Sequence, residues 1–166
     1  MDKRVFAVLF VVASAFLGGL LLYVNTAPIP LGIGIGTAAV DVIAIDSKGT
    51  AFRLSEQKGK IVVIEFMTTN CPYCVEELKA IKQIQGRKDV YFASILLDTG
   101  ITMQALDEFA NSNGVTWFLG TSQKAGSDYK VTAVPTVLII DRAGIIKYRG
   151  YYTPADKIEA AINQIG

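Results

Sequence analysis

The sequence predicts an α/β fold in which a mixed β-sheet lies between two layers of helices, a three-layer α/β/α sandwich. Strand and helix patterns alternate from Val40 onward, and this order covers both faces of a sheet with helices. Two strand patterns, 61–67 and 90–98, are nearly continuous apolar runs, as expected for strands buried on both faces. The chain ends with a hairpin pattern and a helix, so we expect antiparallel strands to join the parallel ones.

The N-terminal region carries an uncharged apolar run from Val5 to Val24. A helix rises about 1.5 Å per residue, so about 20 residues cross the roughly 30 Å hydrocarbon core of a bilayer. Lys3 and Arg4 precede the run, and this basic flank predicts an uncleaved transmembrane anchor with the rest of the chain outside the cytoplasm. The alternatives are a cleaved signal peptide, which usually has a shorter apolar core, and a buried helix of a soluble protein.

Residues 25–39 consist of Pro, Gly and other small or apolar residues with no charge. We interpret them as a linker, because such a composition favours neither a helix nor a strand. The predicted organisation is therefore an anchor or signal sequence over 1–24, a linker over 25–39 and a folded domain over 40–166.

The first half of the folded domain contains a hairpin, two buried strands and two helices. The patterns "VDVIAID" and "TAFRLS" flank the turn "SKG" and predict the hairpin. After the strand 61–67, the segment 72–85 has apolar residues at helical spacing. The strand 90–98 follows, and the next helix runs from Thr102 as its N-cap to Gly114 as its terminator.

The second half begins with the short apolar stretch "TWFLG" and a weak helix or loop, "SQKAGSDYK". The segments 135–141 and 144–152 flank a turn and should pair as antiparallel strands. The last helix is predicted to have Thr153 as its N-cap and Pro154 at its first position.

The charge and composition exclude several classes of function. The chain has 16 basic and 15 acidic residues, a formal net charge of +1, and no basic run that would indicate nucleic-acid binding. It has no histidine, which excludes histidine as a general base, as a proton shuttle and as a metal ligand.

Cys71 and Cys74 are the only cysteines, and four interpretations of the pair compete. A four-cysteine zinc site needs two such pairs, and no histidine is present to complete one. A structural disulfide between residues three apart closes so short a loop that it stabilises little. Two inert core cysteines would leave the intervening Pro72 and Tyr73 unexplained. A redox-active dithiol is the interpretation that we favour.

The position of the pair supports this interpretation. Cys71 follows a buried strand and is expected at the N-cap of the next helix, where free N–H groups and the helix dipole favour an anion such as a thiolate. Pro72 suits the first helical position. Cys74 lies one turn further on, close enough to attack a mixed disulfide on Cys71. We therefore expect Cys71 to be the nucleophile and Cys74 the resolving thiol, with no metal or cofactor required.

Three segments resemble the thioredoxin superfamily: "IVVIEF", "CPYC" at the start of a helix, and "AVPTVLIID" before a hairpin. The resemblance covers roughly residues 40–166 and implies a thioredoxin-like fold. It implies that Pro135 is cis and faces the active-site disulfide, and that the backbone of Val134 pairs with an extended substrate segment. It also implies that Glu65, six residues before Cys71, is a buried acid that helps to move the proton of the resolving cysteine.

Two of these positions have an alternative interpretation. Pro135 could begin a strand in the trans form, and Glu65 could point to a solvated edge. Asn70 stands where a tryptophan usually precedes the first cysteine, so we expect a different docking surface, formed by Asn70, Pro72 and Tyr73 with the Val134–Pro135 segment.

The spacing of the motifs resembles the membrane-anchored TlpA/ResA type of oxidoreductase within this superfamily. Sixty-four positions separate Cys71 from Pro135, and the additional segment holds a strand and a helix. The resemblance implies a membrane-anchored oxidoreductase that acts on disulfides or dithiols of extracytoplasmic proteins, and we favour a reductase.

The implied partners are protein thiols or disulfides, a membrane or soluble redox donor or acceptor, and the lipid bilayer through Val5–Val24. Nucleic acid is not expected. One alternative is a peroxiredoxin-like peroxidase, because Thr68 lies three residues before Cys71, although Ile64 replaces the proline of that family. The other is a copper-binding metallochaperone module.

Overall fold

The central strand of the sheet, β5 (Ile61–Met67), is fully buried along its length. Its β-branched and apolar residues suit a strand with both faces covered. It pairs in parallel with β6 (Val90–Leu96) and antiparallel with β8 (Thr136–Ile140). The sheet is therefore mixed, as predicted, and its two buried strand patterns are confirmed.

The computed structural model describes residues 29–165, and a compact unit begins at Leu31. Its main sheet has seven strands in the order β4-β3-β7-β6-β5-β8-β9. The remaining strands are β3 (Ile43–Asp46), β4 (Ala51–Arg53), β7 (Phe118–Thr121) and β9 (Ile146–Gly150). A separate pair of short strands, β1 (Leu31–Gly32) and β2 (Ala38–Ala39), precedes them.

Between residues 29 and 165 the chain forms a short 3-10 helix (Leu54–Gln57) and four α-helices: α1 (Pro72–Ile84), α2 (Met103–Asn113), α3 (Gln123–Asp128) and α4 (Ala155–Ile165). Thr102 caps α2 through the amide of Ala105, and Gly114 ends it in a left-handed conformation, as predicted. The predicted cap of the last helix is wrong. The Pro154 carbonyl accepts the first helical hydrogen bonds, and α4 begins at Ala155.

The alternating side chains of β5 divide the core between the two faces of the sheet. Val62, Ile64 and Phe66 join one apolar cluster. Ile61 and Val63 join a second cluster, which lies under α1 and α4, and Met67 joins a third, which contains both cysteines. Successive residues of a strand point to opposite faces, so Glu65 lies on the face of Val63 and Met67, under α1.

The predicted hairpin is present, since β3 and β4 pair antiparallel. The additional segment predicted after the second buried strand forms α2 and β7, and β7 pairs in parallel with β6. β8 and β9 form the predicted closing hairpin.

The predicted linker over 25–39 differs from the structure in its second part. Residues 31–39 belong to the compact unit and lie alongside the edge strand β9. The amides of Gly36 and Ala39 donate to the carbonyls of Ile146 and Gly144, both at 2.8 Å. A segment without charge can still be ordered when its backbone pairs with an open sheet edge, which a composition-based argument does not consider.

The anchor predicted at Val5–Val24 lies outside the described residues. Between residues 29 and 165, no helix is both long and apolar enough to cross a membrane.

Candidate active site

A disulfide joins Cys71 and Cys74 at the junction of β5 and α1, with 5.2 Å between their Cα atoms. Cys71 has extended backbone angles and is the N-cap of α1, and its Sγ accepts a hydrogen bond from the Cys74 amide at 3.1 Å. Pro72 occupies the first helical position, where a missing N–H has no cost. The local geometry therefore presents a sulfur atom to the free amides of the first helical turn.

The two sulfur-bearing residues differ in exposure. Cys71 is 9% exposed, whereas Cys74 is 0% exposed. An external thiol or disulfide can therefore reach the side of Cys71, while Cys74 lies beneath it in the apolar cluster with Met67 and Leu78.

The turn that carries Cys71 is fixed by Asp98, which follows β6. The amide of Thr69 donates to Oδ2 of Asp98 at 3.0 Å, and the Thr69 hydroxyl donates to Oδ1 at 2.6 Å. These bonds tie the end of β5 to the end of β6 just before Asn70 and Cys71. The sequence analysis missed this contact, because 29 residues separate its partners and neither belongs to a recognised motif.

The Val134–Pro135 peptide bond is cis, as the resemblance implies. Val134 is half-buried and packs against the apolar cluster that contains both cysteines. The hydroxyl of Thr136 donates to the carbonyl of Ala133 at 2.7 Å and closes this turn. The structure therefore places the Val134–Pro135 turn beside the disulfide.

Of the side chains predicted for substrate docking, the three next to Cys71 are solvent-exposed, whereas Pro135 is buried. Asn70 and Pro72 are exposed, and Tyr73 is 68% exposed. The ring of Tyr73 lies 6.3 Å from that of Tyr152, which follows β9. An aromatic surface that the sequence analysis did not assemble therefore adjoins the disulfide.

Glu65 is completely buried on β5 and does not point to a solvated edge. Burial raises the pKa of its carboxyl well above the usual range, the nearby Glu77 raises it further, and the hydrogen bond from Ser94 lowers it. The Ser94 hydroxyl donates to Oε2 at 2.9 Å. In turn, the Trp117 indole N–H donates to the Ser94 oxygen at 3.0 Å.

A second buried acid, Glu77, lies on α1 one turn after Cys74 and was missed by the sequence analysis. The Thr153 amide donates to its Oε2 at 2.7 Å. Burial raises the pKa of Glu77 to about 7, against the lowering effect of that hydrogen bond. The available signal was its spacing, since residues three apart share one face of a helix and Cys74 is on the buried face.

The fold and the site define a class of protein: a thioredoxin-like α/β domain with a disulfide at the start of a helix and a cis-proline turn beside it. Within this class, the chain is a thiol–disulfide oxidoreductase of the thioredoxin superfamily, similar to the TlpA/ResA type. It belongs to the Redoxin family, whose sequence profile matches residues 35–164.

Relatives and solved structures agree with this assignment. Thiol-disulfide oxidoreductase ResA of Geobacillus kaustophilus (strain HTA426) is 27% identical over 144 residues, which cover 85% of this chain and 82% of the relative. Thioredoxin-like protein YneN of Bacillus subtilis (strain 168) is 26% identical over 134 residues, which cover 76% of each chain. The thioredoxin domain of a thiol-disulfide oxidoreductase from Bacteroides vulgatus has the same fold, with a TM-score of 0.68 at 19% identity, covering 81% of this chain and 100% of that one.

Proposed function

We propose that the chain exchanges disulfides with extracytoplasmic proteins through Cys71 and Cys74, and that it acts as a reductase. The observation that carries the proposal is the unequal burial of the two residues: Cys71, at the N-cap of α1, retains 9% exposure, whereas Cys74 is completely enclosed. An accessible sulfur that is stabilised as an anion suits the attacking thiolate, and a buried one suits the resolving thiol.

In the proposed reaction, the Cys71 thiolate attacks one sulfur of a substrate disulfide and the other substrate sulfur leaves as a thiolate. Cys74 then gives up its proton and attacks Cys71. The Cys71–Cys74 disulfide forms, the bond from Cys71 to the substrate breaks, and the second substrate sulfur leaves. Two electrons pass from the protein dithiol to the substrate, and Glu65 takes part in moving the proton of Cys74.

The proposed docking surface consists of Asn70, Pro72 and Tyr73 together with the Val134–Pro135 turn. The exposed side chains and the half-buried position of Val134 support this proposal. The backbone groups of Val134 would pair with an extended segment of the substrate, as an added strand does at a sheet edge.

We also propose that residues 1–24 anchor the chain in a membrane and leave the catalytic domain outside the cytoplasm. The uncharged run Val5–Val24 and the preceding Lys3 and Arg4 support this proposal. In sealed cells, a membrane-impermeant thiol reagent should label reduced Cys71. Failure to label it in sealed cells, together with labelling in lysed cells, would contradict the outward orientation.

Two variants test the chemistry. Cys71→Ser should abolish the reduction of insulin disulfides, whereas Cys74→Ser should accumulate a mixed disulfide between Cys71 and the substrate. Full activity of Cys71→Ser would exclude the proposal. Rapid turnover of peroxide by Cys74→Ser would instead support a peroxidase.

The direction of electron flow is tested by equilibrating the chain with defined ratios of reduced and oxidised glutathione. Related proteins span reduction potentials of roughly −270 to −120 mV. A potential near the low end is expected for a reductase, and a potential near the high end would reassign the chain as an oxidase.

A further inference from the structure

A small polar cavity adjoins the Val134–Pro135 turn. Its volume is about 180 Å³, and it is lined by Thr132, Thr136, Arg149, Gly150 and Tyr151. A site for a drug-sized molecule usually measures roughly 300–1,000 Å³, so this cavity suits a single side chain. Its lining contains a cation and no acid, so the cavity favours an anionic group.

The register of the sheet places the cavity at the same end of the molecule as the disulfide. Thr136, the first residue of β8, pairs with Phe66 near the end of β5, and Cys71 follows that strand. Val134 packs in the cluster that contains both cysteines. Thr136 lies on the same face of β8 as Leu138, which belongs to the cluster on the other side of the sheet. The turn therefore has the disulfide on one side and the cavity on the other.

Arg149 brings hydrogen-bond donors and a positive charge to the cavity. It is half-buried on β9, and its guanidinium donates to the carbonyls of Ile33 and Tyr129 at 2.9 and 2.7 Å. A guanidinium has five N–H donors, so three remain. The Nε atom makes no hydrogen bond within residues 29–165 and is not buried, so solvent reaches it. Donors are therefore available to a ligand in the cavity.

The charge of Arg149 is not compensated by a nearby acid. No carboxylate lies within 4.0 Å of its nitrogen atoms in the described part of the chain. Burial raises the pKa of the Tyr129 hydroxyl, Asp41 raises it further, Arg149 lowers it and Asp128 raises it, so these groups lie in one region. Asp41 accepts hydrogen bonds from Ser55, however, and Asp128 pairs with a lysine of its own helix. A half-buried cation without a counter-ion favours an external anion.

Two threonine hydroxyl groups border the cavity, and they differ in their availability. The hydroxyl of Thr136 donates to the carbonyl of Ala133, so its hydrogen is already used. Thr132 is exposed, and its hydroxyl makes no hydrogen bond to the residues that the structure describes. It can therefore donate to an anion that is held by Arg149.

We propose that this cavity is a subsite for the carboxylate of an acidic residue in the protein substrate, and that Arg149 and the Thr132 hydroxyl bind it. The inference rests on the proposed function of Cys71 and names a substrate class: disulfide proteins with Asp or Glu near the reacting cysteine. A substrate segment that pairs with the backbone of Val134 continues past the cavity. An extended chain rises about 3.3 Å per residue, so we expect the acid within about four residues of that cysteine.

The experiment measures disulfide exchange between the reduced full-length chain and short peptide dimers. Each dimer joins two copies of a nine-residue peptide through a central cysteine. The peptide ends are acetylated and amidated, so one Glu supplies the only carboxylate of each copy. The Glu is moved through the positions on both sides of the cysteine and is compared with Gln at the same position. The second-order rate constant is obtained from the peptide thiol released before an acid quench.

With the wild-type chain, the Glu dimer should react about fivefold to tenfold faster than the Gln dimer at one or more positions, because the hydrogen bonds to the carboxylate are charge-assisted. Arg149→Gln should lower this ratio to about one. The ratio compares two substrates of one variant, so a partly unfolded population cancels from it. Arg142→Gln is the matched control, because Arg142 is exposed in the turn between β8 and β9, and it should retain the wild-type ratio.

A second variant leaves the contacts of Arg149 with the backbone in place. Thr132→Glu puts a carboxylate of the chain itself beside Arg149, so the Glu dimer should lose its advantage over the Gln dimer. Thr132→Gln has a side chain of the same size without the charge. Its amide can donate in place of the hydroxyl, so this variant should retain the preference for Glu.

Equal rates of the Glu and Gln dimers at every position with the wild-type chain would overturn the inference. A preference for Glu that is as large in Arg149→Gln and Thr132→Glu as in wild type would also overturn it. The proposed function is tested separately by Cys71→Ser, which should react with neither dimer. Exchange by that variant would overturn the proposed function itself, so the two failures are distinguishable.

Discussion

The amide of Thr153 donates to Oε2 of Glu77 at 2.7 Å, so the start of α4 is tied to a buried acid on α1. The same residue was expected to cap α4 with its side chain. Its hydroxyl instead donates to the carbonyl of Tyr151 at 2.6 Å. The loop between β9 and α4 is therefore organised around the acid beneath the disulfide.

The stability of the oxidised chain should depend on the ionisation of Glu77. The pKa of Glu77 is about 7 in the folded protein, above its ordinary value of 4.5, so the folded state binds the proton more tightly than the unfolded state. The stability from this group is fully present below about pH 4.5 and is lost as the pH rises through 7. The loss is about 3 kcal/mol, from 1.36 kcal/mol per pKa unit.

In Glu77→Gln, this part of the pH dependence should disappear from urea denaturation curves recorded between pH 5 and 8. Glu76→Gln is the matched control, because Glu76 is the adjacent residue on α1 and its side chain is exposed. A pH dependence of equal size in wild type and Glu77→Gln would show that Glu77 is not the responsible group.

The exposed ring of Tyr73 should contribute to the binding of protein substrates. Tyr73→Ala should lower kcat/KM for insulin about fivefold, since truncation of an exposed contact residue costs about 1 kcal/mol. The reaction of reduced Cys71 with dipyridyl disulfide, a small uncharged disulfide, should change much less, because this probe has no polypeptide to pack on the tyrosine ring. Met103→Ala, which also removes an exposed apolar side chain, should change neither rate. Equal losses for both substrates would indicate a role in the chemistry of Cys71 instead.

Arg149 should hold the N-terminal segment of the domain on β9. Its guanidinium donates to the carbonyl of Ile33 at 2.9 Å and to that of Tyr129 at 2.7 Å, a two-pronged contact that lysine cannot make. Arg149→Lys should destabilise the fold by about 1–3 kcal/mol. Hydrogen exchange at the amides of Gly36 and Ala39 should accelerate, because both pair with this edge of the sheet.

Arg142→Lys is the control for Arg149→Lys. Arg142 is exposed and its ion pair with Asp89 is long, at 3.9 Å, so the effect of this substitution on stability should be small. Unchanged exchange at Gly36 in Arg149→Lys would show that backbone pairing alone holds the segment.

The sequence predicted the parts of the site that depend on local pattern. A continuous apolar strand followed by "CPYC" predicted that Cys71 is a helix N-cap. This prediction needs only the strand pattern, the proline and the helical spacing, which all lie within about 25 consecutive residues. The burial of Glu65 followed from its place within that strand.

The missed parts depend on packing between distant segments. Glu77 adjoins Glu76 in the sequence, and although its spacing from Cys74 places it on the buried face of α1, the hydrogen bond that holds it comes from Thr153, 76 residues away. Trp117, in the bend before β7, reaches Glu65 on β5 through Ser94 on β6, so this polar contact joins three segments that are far apart in the sequence. The order in residues 31–39 comes from an open sheet edge, which composition does not report.

The contact between Asp98 and Thr69 should control the position of Cys71. Asp98→Ala removes the acceptor of the Thr69 amide and hydroxyl, and the hydrogen bonds to this carboxylate are of the strong, charge-assisted kind. We expect a loss of about 2 kcal/mol in the free energy of unfolding. Attack of reduced Cys71 on dipyridyl disulfide, measured by the release of thiopyridone, should slow about tenfold, because Asp98 no longer fixes the turn that carries Cys71. Asp98→Asn retains one oxygen acceptor and should recover part of both losses.

The matched control is Asp107→Ala, which also removes an acidic side chain that accepts hydrogen bonds, from Ser47 and Asn111, but on helix α2. This variant should react with dipyridyl disulfide at the wild-type rate. If Asp98→Ala lost stability but reacted at the wild-type rate, the contact would be structural and would not position Cys71. A slowed release in Asp98→Ala, with partial recovery in Asp98→Asn, would place Asp98 among the residues that prepare Cys71 for attack.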